Sequence, residues 1–287
     1  MVKIKYIFNA IVSILVFQSC SNLGGSEIIF SGNIKNCNDE VIIVSNYNST
    51  MKVEYPIDSM GNFRAKVVVE KDGYYFFKVG RPYAKIRFKK GKNVHLNIDA
   101  NDFFQSRIFS GDLKTENNFN VQKSILRTNL VGNSKDYFVV PLEDFLTKIK
   151  KTKDSVYTLI ERSNLSSNDK KLEKKIADYD YLQTYNNYQK FYSYHKKYKA
   201  KLPNDYYKPV IEMDLDDDEM FRHSSAYRNL IIANFRQSSR LALSADSSLT
   251  IIEFVKNKIN NIESVYTREQ FASMLLREMK QDNVNII

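Results

Sequence analysis

The groups in this chain that could do chemistry are two thiols, three imidazoles and one dense run of carboxylates. The thiols, Cys20 and Cys37, stand apart and form no Cys-x-x-Cys pair, so the chain cannot carry out two-electron thiol exchange by itself. The asparagines and acids around Cys37 (Asn36, Asn38, Asp39, Glu40) would not lower its pKa. His95, His195 and His223 are widely separated and match no H-E-x-x-H spacing, so no metal site is expected. The signatures G-x-S-x-G, G-x-G-x-x-G and the P-loop are all missing, and with them the usual nucleophile or phosphate geometry. These residues predict no catalytic constellation and call for no cofactor. Asp214, Asp216, Asp217, Asp218 and Glu219 invite a calcium reading, because hard cations want clustered oxygens. The run lacks the glycine and closing glutamate of an EF-hand loop, and acids gathered at a helix N-terminus account for it more simply.

Two further groupings could bind rather than react. Tyr179, Tyr181, Tyr185, Tyr188, Tyr192, Tyr194 and Tyr198 cover more than one face of a helix. Their rings could stack on sugars or on a partner, but filling helix interfaces is the favoured reading. Lys85, Arg87 and Lys89 alternate along one strand and would present cations on one sheet face, a solvated surface by default and an anionic-partner face if it binds. The formal charge is +10, but the lysines are dispersed among acids, Asn and Tyr instead of forming a basic arm, so no nucleic-acid partner is expected.

The elements that must position these residues begin with an export segment. Lys3 and Lys5 precede an apolar run from Ile7 to Phe17 that is too short to span a bilayer, and Ser19 supplies a small residue before Cys20. Residues 1–19 resemble a bacterial lipoprotein signal, with Cys20 the lipidated mature N-terminus. Phe17 and Gln18 depart from the tightest form of that motif. Residues 20–26 read as a flexible Gly-rich tether. Over 27–112, seven short β-branched or aromatic segments alternate with turn residues such as Met60-Gly61-Asn62 and Asp72-Gly73. That pattern predicts an antiparallel β-sandwich or barrel of about seven strands.

From 113 to 287 the period changes, giving an α+β chain with an all-helical second domain. A helix is predicted from Leu142 to about Glu161, with Phe145, Leu146, Ile149, Val156 and Ile160 on its apolar face. A second, capped by Ser166 or Ser167, should run to Pro203. Others are expected over 205–212, 217–243, 247–262 and 267–281, with Ser247 and Thr267 as N-caps.

Residues 28–118 resemble the N-terminal β domain of TlpA/ResA-like thiol-disulfide lipoproteins. The likeness rests on Gly32, the D-x-x-G-x-F turn at Asp58, Gly61 and Phe63, then Gly91, and the element Phe109, Ser110, Gly111 and Asn117. The helices over 118–281 are similar to that family's middle segment. In the family a thioredoxin module carrying Trp-Cys-x-x-Cys follows, whereas here there is neither a Trp-Cys-x-x-Cys nor any tryptophan up to Ile287. The resemblance therefore implies fold and envelope location but not reductase activity. Some bacteria carrying such lipoproteins glycosylate Asp-Ser/Thr-hydrophobic triplets, which makes Ser59 and Ser155 candidate O-glycosylation sites.

The expected function is a non-catalytic binding or assembly lipoprotein of the cell envelope, anchored by lipid, in the outer membrane facing the periplasm, with a protein partner there. The alternative is an accessory or truncated component of a periplasmic thiol-disulfide system whose redox module lies on another chain. A weaker alternative is glycan binding, with an anionic glycan among its partners.

Overall fold

The computed structural model describes residues 26–47 and 50–281. The expected signal 1–19, Cys20 and nearly all of the tether 20–26 lie outside them. The chain is mixed α+β and divides into two compact units, residues 1–118 and 119–287.

Among the described residues the first unit holds eight strands: β1 (Ser26–Lys35), β2 (Val41–Ser45), β3 (Lys52–Pro56), β4 (Asn62–Val69), β5 (Gly73–Val79), β6 (Tyr83–Phe88), β7 (Val94–Asp99) and β8 (Ile108–Gly111). They form two four-stranded sheets, ordered β4-β1-β7-β8 and β3-β2-β5-β6, neither closed on itself. All seven predicted segments became strands. Two features differ from expectation. β1 pairs with β7 in parallel, Phe30 opposite Val94 and Ile34 opposite Ile98, so the unit is not wholly antiparallel. Apolar alternation sets which face a residue takes, but it carries no information on strand direction. β8 was not predicted, because four residues with only Phe109 buried are too few to show a period.

Alternation is clearest on β4, where Phe63, Ala65, Val67 and Val69 point inward and Asn62, Arg64, Lys66 and Val68 outward. The inward faces of the two sheets meet through aromatic rings. Phe30 on β1 is fully buried, with its ring centroid 4.9 Å from Phe63, 5.5 Å from Phe88 and 6.0 Å from Phe77. Burying each such ring contributes about 2–3 kcal/mol. The turn into β4 is built by Asp58, whose carboxylate accepts hydrogen bonds from the Met60 and Asn62 amides at 2.9 and 2.8 Å. Gly61 closes it at φ +80, where a Cβ would stand 2.3 Å from the Ile34 carbonyl oxygen.

The boundary between the units lies inside helix α1 (Lys114–Val131), six residues beyond the expected division after 112. Two consecutive asparagines on its first turn explain the difference. Asn117 is buried, and its carboxamide accepts from the Arg87 amide at 2.7 Å and donates to the Arg87 carbonyl at 3.1 Å. Asn118 does the same for Phe109, at 2.8 Å in each direction. Arg87 lies on β6 and Phe109 on β8, an edge strand of each sheet, so the two side chains occupy edge groups that would otherwise stay unpaired.

The second unit continues with α2 (Ser134–Phe138), α3 (Leu142–Arg162), α4 (Ser167–Asn186), α5 (Tyr188–Lys196), α6 (Lys208–Ile211), α7 (Asp218–His223), α8 (Ser225–Ala245), α9 (Ile251–Asn260) and α10 (Val265–Gln281). The Leu142 helix formed as predicted, and Ser166 caps α4 by accepting from the Asp169 amide at 3.1 Å. The long helix expected to reach Pro203 is interrupted at Asn187, where Asn186 and Asn187 supply weak helix formers. Ser224 likewise separates α7 from α8, since its hydroxyl accepts from the Tyr227 amide at 3.1 Å and starts a new helix. Thr250, not Ser247, caps α9, in a reciprocal capping box with Glu253. α10 starts before Thr267. The Ser264 hydroxyl accepts from the Thr267 amide at 3.2 Å, and the fully buried Thr267 hydroxyl donates to Asp218.

Candidate functional site

Helix α8 carries two faces in its sequence. Ala226, Tyr227, Leu230, Ile231 and Asn234 are buried, whereas Asn229, Ala233, Arg236 and Gln237 recur at helical spacing on another side. That second face forms one wall of a cleft of about 580 Å³. The opposite wall comes from the α4–α5 junction, with Gln183, Asn186, Asn187, Gln189 and Lys190, and Tyr207 stands at one end. The volume falls within the roughly 300–1,000 Å³ usual for ligand sites.

Three devices hold this geometry. The break at Asn187 turns the chain, its amide donating to the Gln183 and Thr184 carbonyls at 3.0 and 3.2 Å. Tyr185 and Tyr206 stack at 4.3 Å with ring planes 13° apart, and each hydroxyl donates to the other's backbone carbonyl at 2.7 Å. Asn234, buried, donates to the Val210 and Ile211 carbonyls at 2.7 and 2.8 Å and so ties α6, which follows Tyr207, to α8. Burial pushes the Tyr185 hydroxyl up to about 12 and raises that of Tyr206 further. Burial also raises Tyr207, against the opposing charge of Arg240, so its phenol remains a neutral donor at ordinary pH.

The cleft's chemistry is that of carboxamides. Six Asn and Gln side chains face it, each offering a donor pair and an acceptor. Gln189 Oε1 is shut off from solvent and accepts no hydrogen bond among the described residues. Lys190 and Arg236 add positive charge, and the lining contains no carboxylate, imidazole or thiol. A second crevice, beside Arg127 and Asp180, holds only about 20 Å³ and is spanned by the ion pair between those two residues, room for about one water.

The residues singled out from sequence lie elsewhere. Lys85 is half-buried with its ammonium 5.7 Å from the Tyr74 ring centroid, Arg87 is only 6% exposed, and Lys89 lies 3.6 Å from Glu116. With Arg87 buried, Lys85 half-buried over a ring and Lys89 beside Glu116, these three do not make the open solvated cationic face expected. Ser59 is exposed in the Asp58–Gly61 turn, and Ser155 is half-buried on α3, donating to the Lys151 carbonyl at 2.9 Å. Cys37 is half-buried, its thiol donating to the Asp39 carbonyl at 3.5 Å.

His95 is half-buried and bonded to the Ser31 hydroxyl at 3.1 Å. Among the described residues no three His, Cys, Asp or Glu side chains come together as a metal set. The acidic run serves helix starts, as expected. Asp217 caps α7 and pairs with Lys175, Asp216 accepts from the Glu263 and Ser264 amides, and Asp218 accepts from the Ser264 and Thr267 hydroxyls. Of the tyrosines, Tyr188 stacks on Phe145 at 4.5 Å and Tyr179 packs edge-on against Tyr227, while Tyr194 and Tyr198 are exposed.

The amide cleft was missed by sequence reasoning. Its one signal is the density of carboxamides in QTYNNYQK, repeated at helical spacing from Asn229 to Gln237. Among the described residues no helix is long and apolar enough to cross a membrane. The chain matches no protein-family profile, no curated protein and no solved structure.

Proposed function

We propose that the chain is a lipid-anchored envelope protein whose helical unit acts as a non-catalytic binding module, with the cleft between α4, α5 and α8 as its ligand site. The observation that carries this reading is the lining itself: carboxamides, one phenol and two cations can hold a polar ligand by hydrogen bonds and charge. Anchoring through Cys20 is argued from the charged start, short apolar run and small residue that precede it. We also take the two facing sheets as a sandwich of the TlpA/ResA-like N-terminal kind.

The test measures retention of the Cys20→Ala protein, which lacks the lipid, on isolated envelope fractions, next to the same protein carrying Asn229→Leu/Gln237→Leu, which fills the cleft. The protein with the intact cleft should be retained and the filled variant lost while its helical circular dichroism is unchanged. Equal retention of the two would overturn the assignment of the cleft, and retention of neither would overturn the binding role. Release of a Cys20→Ala variant from membranes tests the anchor separately.

A further inference from the structure

We propose that the C-terminal end of α5 and the segment leaving it, residues 194–201, dock onto an anionic phospholipid surface. This rests on the envelope location in the reading above and not on the cleft. The lysines dispersed elsewhere along the chain gather here. Residues 181–204 contain no Asp or Glu, and Lys196, Lys197, Lys199 and Lys201 fall within six residues. All four are exposed, and none makes an ion pair among the described residues. Lys197 overlies Tyr194, its ammonium 5.0 Å from the ring centroid, a contact that leaves the positive charge unneutralised.

The local fold turns these cations to one exposed side. Lys197 ends α5 in the left-handed conformation, φ +66, its amide donating to the Ser193 carbonyl at 2.9 Å, and so takes the chain off the helix. Beyond it the sequence alternates. Ala200 and Leu202 pack against the cluster of Phe138, Phe145 and Tyr188, while Lys199 and Lys201 stay exposed between them. The helix macrodipole accounts for cations at Lys196 and Lys197, but it does not reach Lys199 and Lys201.

The company these lysines keep selects a lipid surface. Tyr194 is 67% exposed and Tyr198 59%. Phenols with an apolar body and a polar tip, beside lysines whose long stems carry the charge outward, make the composition that settles at the headgroup boundary of a bilayer. A single phosphate or carboxylate would be better held by the planar fork of arginine. No arginine occurs between Arg162 and Arg222, so the patch meets its partner with point charges, as a diffuse negative surface requires.

Because the chain has no tryptophan, Tyr194→Trp places a single reporter in the full-length protein. The detergent-solubilised protein is mixed with vesicles of phosphatidylcholine, with or without phosphatidylglycerol, floated, and read by fluorescence against lipids with brominated acyl chains. With phosphatidylglycerol the emission should shift to the blue and be quenched, and both effects should be lost in phosphatidylcholine alone and at high salt. Lys196→Gln/Lys197→Gln/Lys199→Gln/Lys201→Gln should reduce the quenching about tenfold or more with helical circular dichroism unchanged. A reporter that stays unshifted on phosphatidylglycerol vesicles with which the protein floats would overturn the patch and leave the anchor standing. Equal shifts on both lipids, or a shift untouched by the quadruple variant, would overturn anionic docking. A reporter that answers to soluble dextran sulfate but not to phosphatidylglycerol makes the partner a polyanion in solution, and the lipid assignment falls. Flotation with phosphatidylglycerol vesicles alone, carrying the shift, would keep the patch and remove the anchor.

Discussion

A single methyl group at Gly32 should markedly destabilise the sheet that contains β1. Gly32 sits on β1 between two partners, opposite Phe63 on β4 and Leu96 on β7. A Cβ built there would stand 2.0 Å from the Leu96 carbonyl oxygen and 2.8 Å from Phe63 Cε1, where ordinary contact begins at 3.4 Å. β1 and β7 must therefore separate by more than about 1 Å, against a ladder spacing of about 4.8 Å. About two ladder hydrogen bonds are lost, at about 1 kcal/mol each. Overpacking against Phe63, which touches Phe30 at the centre of the core, adds about 1–3 kcal/mol. The unfolded state of Gly32→Ala is less flexible, which offsets about 0.4–1 kcal/mol. The net loss is about 2–5 kcal/mol, or a melting shift of about 10 °C or more for a unit of this size. Gly91→Ala is the control, because its φ is +69 but no atom lies within 4 Å, so it should cost only about 1–2 kcal/mol of backbone strain. Urea unfolding followed by tyrosine fluorescence, with hydrogen exchange of the β1 amides, measures both variants. If Gly32→Ala costs no more than Gly91→Ala, close strand approach is not what requires glycine at that position.

Two further expectations come from the buried polar groups. Asn117→Ala leaves the Arg87 amide and carbonyl without their side-chain partner, which should cost about 2–4 kcal/mol and speed exchange of the Arg87 amide; unchanged exchange there would show that the bond is dispensable. In the helical unit, burial raises Tyr179 and Tyr185 from 10.0 to about 12, so their neutral forms favour the fold. The unfolded chain loses those protons first, and stability is therefore full below pH 10 and falls between pH 10 and 12. Tyrosinate absorbance that appears well ahead of any loss of stability would contradict that linkage.

Sequence periodicity located seven of the eight strands and the start of α3 closely, because β-branched alternation and a Pro-led apolar stripe are local properties. It could not show that β1 and β7 run parallel, since pairing direction depends on the path of the intervening chain. Helix breaks at Asn187 and Ser224 were overlooked because the apolar stripe continues through both, and only side-chain competition for backbone groups interrupts it. Arg87 reads as a surface cation because it alternates with Ile86 and Phe88, yet it is buried, and Asn117, which comes later in the chain, takes its backbone groups. The amide cleft left the weakest trace. Asn and Gln are common wherever a chain meets water, and only the folded path brings residues near 186 and 233 onto facing walls.

The position of β1 shapes how the first unit comes into being. Its residues pair with β4 on one side and on the other with β7, where Ser31 meets His95 across 64 positions of chain. During synthesis β1 must wait for its β7 partner, its apolar residues Ile28 and Phe30 incompletely covered, until almost the whole unit has followed. A nascent fragment ending before Val94 thus lacks the strand that pairs with β1 on its second side, and the sheet β4-β1-β7-β8 can close only late in synthesis.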